Sequence, residues 1–167
     1  TLIVLVSDNG GTSASVDSNA PFSGNKNTLT EGGLRTPLVI KWPDNGINGQ
    51  VISDVVFIED IYPTLLESIG VASPADLDGN SLYSAVKQRV SIGANERYWD
   101  HIMTRDWVSY TGLSSDGRWR LHQLYRVWGA LPPPNLYDLF LDSTGTQPVL
   151  PTPPLKLAEL QGDYQAW

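Results

Sequence analysis

The sequence predicts an α/β chain whose C-terminal part is a small antiparallel sheet with a packed helix. Three observations carry this. Residues 1–6, Thr-Leu-Ile-Val-Leu-Val, form an apolar, β-branched run of the kind buried on both faces in a parallel sheet covered by helices. Residues 61–69 repeat apolar side chains at helical spacing between an acidic start and a glycine stop. From Tyr98 onward the chain becomes aromatic and strand-like, with Asp116-Gly117 as a hairpin signal.

The elements follow in order. The opening strand ends at Ser7-Asp8-Asn9-Gly10-Gly11, and a polar Ser/Asn/Gly loop, long for a mere connector, runs to about Thr30. Residues 36–43 form a second strand closed by Pro43, followed by turns at Asp44-Asn45-Gly46 and Asn48-Gly49. Residues 51–58 are a candidate third extended segment. Asp60 is placed to cap the helix over 61–69, Pro63 falls in its first turn, and Gly70 supplies its stop. Ile61, Leu65, Leu66 and Ile69 make its apolar stripe. Asp78-Gly79-Asn80 turns into a second short helix reaching about Arg89. Three aromatic strands are expected over 101–112, 119–128 and 136–141, in a sheet of three or four strands. Pro132-Pro133-Pro134 is a stiff spacer, and a short helix is expected over 156–161. The boundary falls near 90–97, dividing an α/β part (1–95) from an antiparallel part with its tail (96–167).

Composition narrows the function. The chain has 167 residues, 41% of them hydrophobic, and a net charge of −7, which suits a folded domain rather than a disordered segment. Eighteen acids against eleven bases, with no Lys/Arg stripe, remove the electrostatic footprint of a nucleic-acid binder. No apolar run approaches the ~20 residues of a membrane span, so no membrane role is expected. The absence of cysteine excludes a disulfide framework, a thiolate zinc site and a cysteine nucleophile. Two histidines and no Gly-x-Ser-x-Gly leave little room for a self-contained serine hydrolase. Chemistry through oxygen ligands remains.

Asp8 and Asn9 follow directly on a strand end, where open α/β sheets place ligands. Adjacent carboxylate and amide oxygens suit a hard cation such as calcium, although Asp-Asn-Gly-Gly is equally an ordinary turn. Lys26, on the same loop, can present an ammonium to an anionic group or a leaving oxygen. Taken alone, Lys26 and Arg35 are read in preference as structural ion-pair partners of a nearby acid such as Glu31. His101 and His122 read as surface or satisfied packing histidines, because no second ligand stands at a metal spacing. The Trp and Tyr residues at 98, 99, 107, 110, 119, 125 and 128 read as core, with a carbohydrate-stacking face as the alternative.

Three segments in succession are similar to a known family. Residues 1–11, then Gly24-Asn25-Lys26-Asn27-Thr28-Leu29, then Glu31-Gly32-Gly33-Leu34-Arg35-Thr36-Pro37 and the strand after it, resemble the sulfatases of the alkaline phosphatase superfamily. Residues 60–71, 78–82 and 135–139 continue the resemblance. It implies an alkaline-phosphatase-like α/β sandwich followed by the small antiparallel sheet, and hydrolysis of sulfate monoesters. It also implies that Asp8 and Asn9 are two calcium ligands and that Lys26 contacts the sulfate and the leaving oxygen. Asn25 and Asn27 stand where glycines are usual, and Thr30 replaces a common aromatic.

The family's formylglycine nucleophile arises from a Cys/Ser-x-Pro-x-Arg motif that is absent from these 167 residues. The chain therefore resembles the C-terminal portion of a sulfatase, with Thr1 inside a longer polypeptide. Its partners would be an N-terminal portion and a sulfated small molecule or carbohydrate, in an exported, periplasmic or lysosomal setting. The alternative is a non-catalytic, carbohydrate-binding module or an inactive relative.

Overall fold

A computed structural model of the chain describes residues 1–12, 19–43, 49–93, 96–102, 107–126 and 132–167. The turns expected at Asp44-Asn45-Gly46 and Asn48, and residues 103–106 and 127–128 of two expected strands, lie outside the described residues. The chain divides into two compact units. One comprises Thr1–Val6 with Leu38–Ala94, the other Ser7–Pro37 with Asn95–Trp167.

In the first unit β1 (Ile3–Val6) pairs antiparallel with β2 (Leu38–Lys41), in the register Ile3↔Lys41 to Val6↔Leu38. The expectation of a parallel strand buried on both faces is corrected here. With β2 as its one neighbour among the described residues, β1 keeps Leu5 62% exposed, and Val39 directly opposite is 58% exposed. Residues 51–57 form no ladder. Instead the Asp54 carboxylate accepts the Ser91 hydroxyl (3.1 Å) and the Ile92 N–H (3.0 Å).

A 3-10 turn, Ile58–Asp60, leads into helix α2 (Ile61–Ser68). Asp60 stands at the cap position, but its carboxylate does not cap α2. It is buried and accepts the N–H groups of Phe57 (2.8 Å) and Asn80 (2.7 Å), tying the start of α2 to the 78–80 turn. Buried Thr64 repeats the device one helical turn later. Its hydroxyl donates to Asp60 O (2.6 Å) and accepts the Leu82 N–H (2.7 Å), just before α3 (Tyr83–Gln88). The side of α2 that is buried thus carries Pro63 and Thr64, while Leu65 and Ile69 of the expected stripe are exposed.

The stop at Gly70 is as expected. Val71 N–H reaches Leu66 O (2.9 Å) and Gly70 N–H reaches Glu67 O (3.0 Å), the paired bonds of a Schellman cap, with Gly70 at φ +73°. In the same unit, Trp42 and Tyr83 meet edge to face at 5.5 Å, with the Lys87 ammonium over both rings.

The second unit is built on a four-stranded antiparallel meander, β3 (Arg97–Ile102), β4 (Trp107–Leu113), β5 (Trp119–Arg126) and β6 (Asn135–Asp138), in that spatial order. Gly117, at φ +69°, closes the expected β4–β5 hairpin through its N–H to Ser114 O (2.8 Å). Helix α4 (Pro154–Ala166) is longer than the segment expected over 156–161.

The registers Gly112↔Leu121↔Leu136 and Tyr110↔Gln123 put Tyr110, Leu121 and Leu136 on one face. That face meets α4 in a core of Tyr110, Leu121, Leu136 and Leu160, flanked by Trp119, Leu157 and Tyr164. Tyr164 stacks on Tyr110 at 3.9 Å and donates its hydroxyl to Asp100 (2.8 Å). Thr111, Leu113, Arg120, His122 and Tyr137 point to the opposite face, where segment 19–35 is attached.

Candidate active site

All three sequence-derived candidates, Asp8, Asn9 and Lys26, belong to the second unit, and the backbone around them is one hydrogen-bonded cluster. Asn19 is its hub. Its Oδ1 accepts the Gly11 N–H (2.7 Å), and its Nδ2 donates to the carbonyls of Gly11 and Gly24 (3.1 Å each). Lys26 N–H donates to Gly11 O (2.9 Å), joining the lysine's segment directly to the Asp8–Gly11 turn.

Lys26 and Asn27 occupy the corner of a turn closed by Thr28 N–H to Asn25 O (3.0 Å). The Thr28 hydroxyl doubles that closure through bonds to Asn25 O (2.7 Å) and from Asn25 N–H (3.1 Å). Asn27 has φ +72°, the left-handed conformation that a type II turn needs at this position. Asparagine tolerates it better than any branched side chain, which explains how it can stand where a glycine is usual. At the corner, the Lys26 side chain is exposed.

The short helix α1 (Glu31–Leu34) fits behind this turn. Gly32 N–H donates to Ser23 O (2.7 Å), and Gly33 O accepts the Gly10 N–H (3.0 Å). Both glycines are required by space. A Cβ on Gly33 would lie 2.0 Å from Thr28 O and 2.7 Å from Asn25 O, inside the Lys26 turn. A Gly33→Ala change is therefore expected to cost about 1–3 kcal/mol through forced backbone displacement, read as a lower urea midpoint. Gly162→Ala in α4, where nothing lies within 4 Å of the new Cβ, should be neutral or raise stability by up to about 1 kcal/mol.

Asp8 is exposed and its carboxylate has no hydrogen bond among the described residues. Asn9 donates its amide nitrogen to Gly10 O (2.9 Å), which fixes the amide and leaves its oxygen as the free acceptor. One carboxylate and one amide oxygen are the donor types a hard cation takes, and they fill two of the 6–8 positions calcium requires. Among the described residues no group of three His, Cys, Asp or Glu stands together to complete such a shell.

The cluster is fastened to the far face of the sheet at points the sequence did not reveal. Buried Glu31 pairs with buried Arg120 of β5, Oε1 to Nη1 at 2.7 Å. The ion pair expected between Arg35 and Glu31 is also present, at 3.7 Å, and Arg35 donates to Ser143 O (2.9 Å), whereas Lys26, expected in the same role, forms no ion pair among the described residues. Ser23 Oγ and Arg120 Nη2 both donate to Gly145 O (3.2 Å each). The 142–147 loop carrying that carbonyl is shaped by Asp142, which accepts from the Thr144 hydroxyl and from the N–H groups of Gln147, Thr146 and Thr144. These bonds hold its carboxyl well below the usual carboxylate range, the Thr144 hydroxyl contributing most.

Thr111 completes the attachment. Its hydroxyl donates to Leu29 O (2.9 Å), so the 2.9 Å contact to His122 requires the imidazole Nδ1 to carry the proton and donate back. Burial, and then the Arg120 charge, push the His122 imidazole down to about 4. It is a neutral, satisfied packing histidine, as the sequence reading held.

The N-sulphoglucosamine sulphohydrolase C-terminal family model matches residues 24–156, and the chain belongs to that family of sulfatase C-terminal regions. Curated relatives agree. A sulfatase of Formosa agariphila is 33% identical over 109 residues, which is 59% of this chain and 19% of the relative. The human N-acetylgalactosamine-6-sulfatase is 35% identical over 94 residues, 53% of this chain and 18% of the relative. The chain thus spans about a fifth of the relatives' length.

Solved structures share the fold across 99% of the chain. Ps i-CgsB in complex with k-i-k-neocarrahexaose superimposes with a TM-score of 0.82 at 23% identity, over 36% of that chain. BT4656 in complex with its substrate D-glucosamine-2-N,6-O-disulfate does so at 0.72 and 20%, over 33% of that chain. The α/β architecture of the sulfatase, alkaline-phosphatase-like type expected from the sequence is the one observed. No helix of the described residues is long and apolar enough to cross a membrane.

Proposed function

We propose that this chain is the C-terminal portion of a calcium-dependent sulfatase that hydrolyses sulfate monoesters, with sulfated carbohydrates as the substrate class. The observation that carries the reading is the Lys26 N–H to Gly11 O bond, which supports a shared site for the Lys26 turn and the Asp8-Asn9 turn. Family membership supports the chemistry, and the sulfated substrate of a structural neighbour supports the class.

In this reading Asp8 and Asn9 donate two oxygens to a calcium ion completed by residues of a preceding N-terminal portion. The ion supplies positive charge for the sulfate oxygens. Lys26 presents its ammonium to the ester oxygen. As the S–O bond breaks, that oxygen gains negative charge, which the ammonium stabilises or neutralises with its proton. The nucleophile, a formylglycine, belongs to the N-terminal portion, so the 167 residues alone perform no turnover. An exported, periplasmic or lysosomal setting is part of the same reading and rests on the family resemblance alone.

The test is hydrolysis by the complete polypeptide containing this chain, on matched aryl sulfate and aryl phosphate esters and on 6-sulfated hexosamines. Sulfate ester cleavage that a chelator abolishes and calcium restores is the expected result. Preferential phosphate cleavage, or activity indifferent to calcium, would overturn the reading.

A further inference from the structure

Glu31 and Arg120 lie 89 residues apart in the chain and meet with side chains 11% and 2% exposed. Removing two charges from water is costly, and apolar pairs of similar size that replace buried ion pairs are often as stable or more so. Stability is therefore a weak reason for the pair. Arg120 even leaves its Nε buried with no acceptor among the described residues, a defect that native interiors rarely carry.

Geometry is the better reason. The guanidinium is held from three sides, by Glu31 Oε1 (2.7 Å), by Gly145 O (3.2 Å) and by the Tyr137 ring 4.3 Å beneath it. Gly145, at φ +60°, allows the approach, since a Cβ there would lie 2.8 Å from both Arg120 Nη2 and Glu31 Cγ. Glu31 in turn is the first residue of α1. Two residues on, Gly33 lies against the Asn25–Thr28 turn and accepts the Gly10 N–H. A shift of Glu31 therefore moves the Lys26 corner and the Asp8–Gly11 segment together.

We propose that Arg120, acting through Glu31, is a positioning residue for Lys26, setting where its ammonium meets the leaving oxygen. The inference rests on the reading of Lys26 given above and goes beyond it to the far face of the C-terminal sheet. A cation that stabilises the departing oxygen matters most for esters with basic leaving groups and least for acidic phenols. Misplacing it should therefore change the dependence on leaving group, which a general loosening of the fold would not do.

The experiment uses the complete enzyme and a series of aryl sulfates spanning acidic to weakly acidic phenols. Arg120→Met alone strands a buried carboxylate, so the Glu31→Gln/Arg120→Met pair, which removes both charges, is the principal variant. Arg120→Lys, which keeps the charge but loses the fork, is the second. The expected result is kcat about tenfold lower for the poorest leaving group, less than about twofold lower for the best, and KM within about twofold throughout. Arg120→Lys should fall between wild type and the double variant.

A uniform loss across the series, or no loss, in whichever of these variants folds would overturn the proposal. Lys26→Ala separates the two levels. If its own leaving-group dependence is that of wild type, the reading of Lys26 fails. If Lys26→Ala steepens the dependence while the Arg120 variants do not, the positioning role alone falls.

Discussion

Lys26→Ala in the complete enzyme is expected to lower kcat for sulfate ester hydrolysis by about 10²–10⁴-fold, the range general acid and electrostatic assistance supply. Under the calcium-dependent function proposed above, the calcium concentration giving half-maximal activity should stay the same. The separation follows from the local structure. Lys26 contributes to the cluster through its backbone N–H to Gly11 O, which alanine retains, and through the turn bonds of Asn25 and Thr28, which do not involve its side chain. Truncation thus removes the ammonium and leaves the Asp8-Asn9 turn in place.

Lys26→Arg should recover only part of the loss. Its guanidinium keeps the charge but holds its proton far more tightly and is too broad to reproduce a point contact. A Lys26→Ala enzyme within about threefold of wild type would remove the lysine from the mechanism. A parallel rise in the calcium requirement would show instead that the turn itself had been damaged.

What the sequence made legible divides along physical lines. Local signals were reliable where the chemistry is local. Gly70 stops α2 because only a left-handed residue completes the cap, and Asp116-Gly117 turns β4 into β5 for the same reason. The cluster around Lys26 was legible as motif segments, because glycines at 10, 32 and 33 stand where backbones touch and no Cβ fits.

Partnership across the chain was not legible. Arg120 sits among strand residues whose alternation says only that it faces away from Leu121, and nothing near it names Glu31 as its counterpart. The same limit explains Asp60, whose position suggested a helix cap while its carboxylate serves Phe57 and, twenty residues on, Asn80. The first strand failed differently. Its composition describes a strand with cover on both faces, whereas the described residues supply β2 at one edge and leave Leu5 and Val39 open.

His122 gives the second large expectation, in stability against pH. The folded protein holds its imidazole near 4, against about 6.5 in an unfolded chain. Between these values the unfolded state binds a proton that the folded state refuses, so acid favours unfolding. The contribution of neutral His122 is fully present above about pH 6.5, is lost as pH falls toward 4, and is constant below. At about 1.4 kcal/mol for each pH unit the whole effect amounts to about 3 kcal/mol.

Other groups titrate in the same window, so the measurement is a difference. Unfolding free energies of wild type and His122→Asn are compared from pH 7.5 to 3.5. Asparagine can supply the same donor to Thr111 Oγ through its amide nitrogen but does not titrate. Wild type should lose about 3 kcal/mol more than the variant across the window, and the imidazole resonances of His122 should titrate near 4. Equal slopes, or a titration at 6 to 7, would mean that neither burial nor Arg120 acts on the ring as described.

The consequence for function follows from the contacts. His122 holds Thr111, Thr111 holds Leu29, and Leu29 adjoins the turn that presents Lys26. At pH 5, where an exposed histidine is mostly charged, His122 remains mostly neutral in the folded chain. The Nδ1–H that holds Thr111 is present in the neutral and in the protonated ring alike, so protonation near pH 4 lowers the stability of the fold without removing this attachment of the Lys26 segment.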